Sequence, residues 1–282
     1  MTTQAAHFGR PIKGPSALSG GRGRLLSLTW TLAFTDFKLK FFGSVLGYLW
    51  QLVRPLLLFG VLYVVFTHVV RLGSDVQFYP VVLLTGIVLY TFVAEATGGC
   101  VSAVVDREGL VRKIQFPRIV IPLSVIVTAY LNLALNLIAV FIFAIASGVD
   151  IRWSWLELPF LLAFLGVFAT GIGMALSALY VRYRDVRPIW EVGLQLLFYA
   201  SPVIYPVEKL PNATDQHLAM CNPLAAVIQQ VRHSVIDPTA PSAAQAIGGA
   251  PRLLIPIAIT FGLFVLGFWI FNREAPRIAE EL

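Results

Sequence analysis

Apolar residues along this 282-residue chain gather into long runs separated by short polar stretches that hold most of its Arg. A helix rising 1.5 Å per residue needs about 20 such residues to cross a hydrocarbon core of roughly 30 Å. Five runs read this way: 51–70, 78–105, 119–147, 156–180 and 253–271. The stretch 180–211 differs. It opens on Arg182, Arg184, Asp185 and Arg187, then continues as an apolar helix that Pro202 and Pro206 interrupt. Pro202 comes only about 13 residues into that run, roughly 20 Å of helix. An interrupted span is tolerated where its freed backbone groups face protein or a wet cavity. The pattern therefore predicts a shortened fifth span bordering a pathway.

Ahead of the first run, 28–50 has helical spacing of another kind. Trp30, Phe34, Phe37, Phe41, Val45 and Tyr48 fall on one side, and Thr29, Asp36 and Lys40 on the other. Asp36 and Lys40 make a favourable i,i+4 pair. This predicts an amphipathic helix lying in the membrane interface, aromatic side down, with Lys38 and Lys40 towards headgroups. Residues 1–27 are a polar cytoplasmic tail; with no apolar h-region there, the first span is expected to direct insertion. The segment 207–251 is too polar to span, yet 218–236 is half apolar, so short external re-entrant helices are expected between spans five and six. Residues 272–282 form a second cytoplasmic tail.

Composition agrees with a membrane solvent. Mean hydropathy is +0.78, 57% of residues are hydrophobic and 13% are charged, far from the ~25% charged of soluble domains. The net charge of +6 is no nucleic-acid surface, because the charges lie between apolar runs. With both termini inside, only Arg71, Arg152, Lys209, Arg232 and Arg252 of the 21 Lys and Arg remain outside. The positive-inside rule then gives N-in, C-in and an even number of spans. The expected fold is an all-α integral membrane protein, multi-pass: an amphipathic interfacial helix, then a domain of six transmembrane helices over 51–271.

Catalytic chemistry is hard to find. Cys100 and Cys221 give neither a disulfide framework nor metal spacing. None of the five lysines follows a glycine, so there is no phosphate-binding GxxxxGK[ST] loop. The four histidines are too scattered for a zinc site, and no G-x-S-x-G elbow occurs. Glu95 and Glu191 are the intramembrane carboxylates, thin for proton coupling. No catalytic residue and no metal is expected, and the chain is not expected to be an enzyme.

Four blocks in order carry a likeness to a known family. They are Lys40–Trp50 leading into Arg54-Pro55, then 109–118 ending Arg-Lys-Ile-Gln-Phe-Pro-Arg. Next come Tyr183-Arg184-Asp185-Val186 with Phe198–Pro206, and Asn222-Pro223-Leu224 with Arg232. Together they resemble the ABC-2 membrane subunits of ABC transporters, in the polysaccharide-exporting Wzm/TagG-like branch, with a further likeness to actinobacterial galactan exporters. The resemblance implies a six-span permease that forms a homodimer and pairs with two copies of a separate ATPase, which binds ATP and Mg. The implied substrate is a polyprenyl-diphosphate-linked polysaccharide of O-antigen, teichoic-acid or galactan type. The alternatives are drug or lipid efflux on the same fold, and a membrane-embedded assembly enzyme or scaffold.

Residue roles follow. The loop 106–117 reads as the coupling element towards the ATPase: Asp106, Arg107 and Glu108 supply exposed charge, Leu110 with Val111 an apolar peg, and Arg112 and Lys113 further cations. A plain solvated loop fits the same residues. Phe59, Tyr63 and Phe66 make one stripe on span one; Glu191, Gln195, Tyr199 and Pro202 make another on span five, with Phe198 beside it. Aromatic faces combined with amides and carboxylates suit a sliding glycan; packing against a neighbour suits the aromatics equally, and a headgroup-edge pair with Arg187 suits Glu191. Lys38, Lys40, Arg54, Arg182, Arg184 and Arg187 could take the lipid diphosphate, or serve topology alone. The aromatic helix with Trp30, Phe34, Phe37 and Phe41 would be the gate.

Overall fold

The computed structural model describes residues 22–41, 47, 49–70, 76–113 and 116–275. Most of the expected N-terminal tail, parts of the first and second family blocks, and the C-terminal tail from 276 lie outside the described residues. So do the side chains of Phe41, Arg112 and Lys113.

Helix α1 runs Arg22–Phe41 and α2 Leu49–Val64, the latter prolonged by a π turn over Val65–Val69. Helix α3 covers Tyr79–Asp106, the short α4 Glu108–Lys113, and α5 Val120–Ala146. A 3-10 turn, Trp153–Glu157, leads into α6, Leu158–Arg182. Helix α7, Val186–Ala200, is followed by α8 (Ala213–Met220), α9 (Pro223–Val231), α10 (Ala243–Ala246) and α11 (Leu254–Glu274). Among the described residues, five helices are long and apolar enough to cross a membrane: α2 with its π turn, α3, α5, α6 with its leading turn, and α11 with its own. The expected fifth span is α7, whose 15 residues reach roughly 22 Å. The interfacial helix expected over 28–50 instead begins at Arg22 and ends at Phe41, and Leu49-Trp50 already belong to α2.

Proline placement explains several boundaries. Pro80, Pro159 and Pro223 sit in the first turns of α3, α6 and α9, where a missing N–H is harmless. Pro202 ends α7, because proline disfavours helical geometry in the residue before it; Ser201 is extended.

Helix α3 is the centre of the bundle, buried along most of its length and packed on α5 and α6. Its hydroxyls do not stay orphaned: Thr85 and Thr97 donate to the carbonyls of Val81 and Val93, as buried polar groups in an apolar solvent require. Glycine sets the other close crossings. At Gly267 of α11 a Cβ would run into the carbonyl oxygen of Gly171 on α6, and at Gly171 into the backbone of Phe264. At Gly166 it would occupy the place of the Tyr130 hydroxyl, which donates to the Leu162 carbonyl at 2.8 Å. Small residues of α6 thus bring it close to α11 and α5.

Helix α7 lies antiparallel along α3. Trp190 Nε1 donates to Thr97 Oγ1 at 3.0 Å, Tyr90 Oη to the Leu194 carbonyl at 3.0 Å, and Tyr79 Oη to the Ile204 carbonyl at 2.8 Å. That register puts Arg182, Arg184 and Arg187 at the same end of the bundle as α4. The 207–253 segment sits at the other end. There α9 is buried at almost every position, against α3, α6 and α11.

Candidate functional site

A polar cavity of about 580 Å³ lies between α1, α2, α3 and α5. Its hub is Glu95, roughly 16 Å of helix from the α4 end of α3. Glu95 Oε1 accepts from Gln51 Nε2 at 2.8 Å, and Oε2 from Asn132 Nδ2 at 2.6 Å. Lys40 Nζ approaches Oε2 at 3.7 Å and donates to Gln51 Oε1 at 3.3 Å. Four elements therefore converge on one carboxylate. A charge inside apolar helices is costly unless paired and hydrogen-bonded, and here two amides and an ammonium supply both. Arg54, Asp106, Thr128 and Asn132 line the same space, and the buried Asn132 Oδ1 has no hydrogen-bond partner.

Asp36 and Lys40 do not pair with each other as their spacing suggests. Asp36 pairs with Arg107 at the α3–α4 turn, and Lys40 turns to Glu95. Glu95 lies in α3 and Arg107 directly follows it, and tertiary approach overrides the weak i,i+4 preference. On this helix Thr29 and Ala33 are buried, while Trp30 and Phe34 stack on each other and stay exposed.

The stripes assigned to a path have different surroundings. Phe59, Tyr63 and Phe66 are partly buried against the central core. Phe59 meets Phe143 of α5 edge-on at 5.7 Å and stacks on Tyr63. On α7 the stripe divides. Phe198 packs edge-on against Tyr90 at 4.8 Å and against Tyr199 at 5.4 Å, whereas Glu191, Gln195 and Tyr199 are exposed. Glu191 pairs with Arg187 at 3.4 Å. Pro202, expected to extend this stripe, is buried.

At the α4 end, Lys38 lies over the Phe34 ring, Arg182 over Tyr183 and Arg184 over Tyr180. At the far end, Asn222 caps α9 by accepting from the Leu224 N–H, and its amide donates to Ser201 Oγ at 2.8 Å. Arg232, buried, grips both oxygens of Glu208 at 3.0 and 2.9 Å. Burial also raises the Tyr205 phenol above its ordinary value, and its hydroxyl donates to the Tyr199 carbonyl.

A sequence profile described as ABC-2 type transporter matches residues 27–236, from α1 through the turn that follows α9. The chain belongs to the ABC-2 type transporter family. It is also similar to the O-antigen export system permease protein RfbA of Klebsiella pneumoniae, 28% identical over 92% of this chain and 96% of that one. RfbA of Myxococcus xanthus is 29% identical over 93% of this chain and 96% of its own length. The polysialic acid transport protein KpsM of Escherichia coli is 24% identical over 73% and 80%. An ABC-2 chain is a transporter's membrane subunit and not itself an enzyme, and this one is a multi-pass protein of the bacterial inner membrane.

Within this ABC-2 chain, the coupling residues are less free than the sequence suggests. Asp106 is exposed and accepts from Ser102 Oγ at 2.7 Å. Arg107, expected to be an exposed contact, is partly buried against Asp36. Glu108 is half-buried, and Leu110 packs on the core cluster around Phe116 and Phe271 instead of projecting as a peg. Sequence reasoning singled out Glu95 but missed Gln51 and Asn132. The available signal was Gln51 at the head of one apolar run and Asn132 with Asn136 inside another, amides that are expensive there without a partner. Among the described residues no three His, Cys, Asp or Glu side chains converge as metal ligands.

Proposed function

We propose that this chain is the permease subunit of an ATP-driven exporter moving a polyprenyl-diphosphate-linked polysaccharide from the cytoplasm to the outer face of the inner membrane. The observation carrying this reading is the match to O-antigen export permeases over 96% of their own length. Two copies of the chain pair with two copies of a separate ATPase subunit, which binds ATP and Mg. Helix α7 serves as the fifth of six spans with both termini inside, its shortness offset by the buried α9 beneath the far surface.

The exposed face of α7 with Glu191, Gln195 and Tyr199 is the wall offered to the glycan, completed by a second copy. Phe59, Tyr63 and Phe66 support that wall from behind. The short α4 with Asp106 and Glu108 docks the ATPase. Lys40 and Arg54 at the cavity, with Lys38, Arg182, Arg184 and Arg187 at the same end, attract the lipid diphosphate, and α1 is the gate beside them.

The test is purification with the ATPase encoded beside it, followed by ATP hydrolysis in nanodiscs. Stimulation by lipid-linked glycan, with accumulation of that glycan inside depleted cells, is the expected result. Hydrolysis stimulated by hydrophobic drugs and indifferent to glycan lipids would overturn the reading.

A further inference from the structure

Helices α6 and α11 both start at the end of the bundle away from α4 and run side by side. They meet backbone to backbone at Gly171 and Gly267, each the same number of positions into its helix. That crossing lies about 20 Å from the helix starts. Nearer the starts, a cavity of about 470 Å³ opens between them, bordered by Phe160 and Phe164 of α6 and by Pro256 and Ile257 of α11. Helix α9 forms its inner wall through Ala226 and Val227, and α10 adds Ala243 and Ala244. Three of those four residues are alanine, so the wall stands back. Pockets that hold small ligands occupy about 300–1,000 Å³.

The lining is almost wholly apolar, and its two polar side chains, Gln230 and Ser242, already hold partners in the protein. Gln230 Nε2 donates to Glu157 Oε2 at 2.8 Å, and Gln230 Oε1 accepts from the Ala243 N–H at 3.1 Å. Ser242 Oγ accepts from the Gln245 N–H at 3.3 Å. Water stays in a cavity only where several polar groups converge on it, so this one suits hydrocarbon. Depth gives the same answer. The 21 residues of α11 rise roughly 31 Å, matching a hydrocarbon core of about 30 Å. With Arg273 in the last turn at one boundary, Leu254 stands at the other, and the cavity spans the first turns inside it. Phe160 at its edge is 78% exposed and faces the bilayer. Trp153, just ahead of α6 and exposed, sits at the level where membrane tryptophans gather.

We infer that this cavity holds one acyl chain of a bilayer phospholipid, taken from the leaflet at the 207–253 end. The acyl chain enters between the first turns of α6 and α11 and ends against Ala226 and Val227, while the headgroup stays at the level of Trp153. The bilayer presents such chains at the mouth in bulk, and the engaged Gln230 and Ser242 leave no polar group inside seeking a headgroup. The lipid does there what a large side chain would do. It ties α9 and α10 to the α6–α11 pair where alanines leave a gap. The site requires a membrane around the protein and no particular cargo.

The test uses the full chain in nanodiscs of phosphatidylethanolamine and phosphatidylglycerol. A fraction of the phosphatidylethanolamine carries a diazirine on the upper half of one acyl chain, and adducts are mapped by mass spectrometry after illumination. Adducts on Ala226 or Val227 are expected, because both are buried and out of reach of lipid that only coats the surface. Phe261, exposed on α11, reports that coat. Ala244→Phe fills the cavity and should cut the α9 adducts at least fivefold with Phe261 labelling unchanged. Ala244→Leu makes the same comparison should the larger residue prevent folding. Labelling of Phe261 without α9 in the parent, or α9 adducts that survive both substitutions, would overturn the site. Loss of the α9 adducts on adding a few mole per cent of polyprenyl phosphate would give the cavity to a carrier lipid instead. A second copy of the chain cross-linked at α9 in their place would equally sink the phospholipid assignment.

Discussion

Glu95 of α3 and Asn132 of α5 share a hydrogen bond of 2.6 Å between two helices apolar enough to cross a membrane. Each residue alone would be costly there. Together with Gln51 and Lys40 they form one polar joint between α1, α2, α3 and α5.

Glu95→Ala strands Gln51 and Asn132 without their acceptor. An unsatisfied buried group costs about 1–3 kcal/mol, so a lower midpoint in thermal unfolding of the detergent-solubilised protein is expected. Glu95→Gln keeps the shape and one acceptor oxygen and should fall less. Equal midpoints for parent and Glu95→Ala would show that the joint carries no stability.

Gly267→Ala should separate α11 from α6, because the added methyl meets the Gly171 carbonyl. Overpacking of this kind costs about 1–3 kcal/mol. Gly262→Ala, on the same helix but facing open space, is the control and should leave the unfolding midpoint unchanged.

Arg232 and Glu208 predict an asymmetry. Glu208→Ala leaves a buried guanidinium uncompensated, a loss of roughly 3–5 kcal/mol. Arg232→Met leaves a carboxylate that is already over a third exposed and can hydrate. Hydrogen exchange across 207–253 should therefore rise more in the first variant; equal protection in both would refute the asymmetry.

Tyr63 and Tyr199 separate packing from transport. Tyr199 is 69% exposed, so Tyr199→Ala should slow export several-fold with stability intact. Tyr63 is packed with Phe59, and Tyr63→Ala should lower stability as well as export. Wild-type export in both variants would rule out the assigned path.

Much of the fold was legible because the membrane is a demanding solvent. The apolar runs at 78–105, 119–147 and 253–271 could be little but spanning helices, and Pro202 had to end α7 early. The candidate site was less legible. Lys40 could be seen as a cation near headgroups, yet nothing in its neighbours in sequence connects it with a carboxylate 55 positions away. The same holds for Arg107, which looked like a free contact and is held by Asp36.

The sequence by itself determined the solvent, the approximate spans, the early break at Pro202 and the basic edge, since each depends on residues close together in the chain. Tertiary structure alone decided which face of α7 is open, that Phe198 is spent on Tyr90, and that Gln51, Glu95 and Asn132 meet. Those outcomes depend on how helices cross. A side chain's partner across a bundle is set by the packing of all the helices at once, not by the spacing within any one of them.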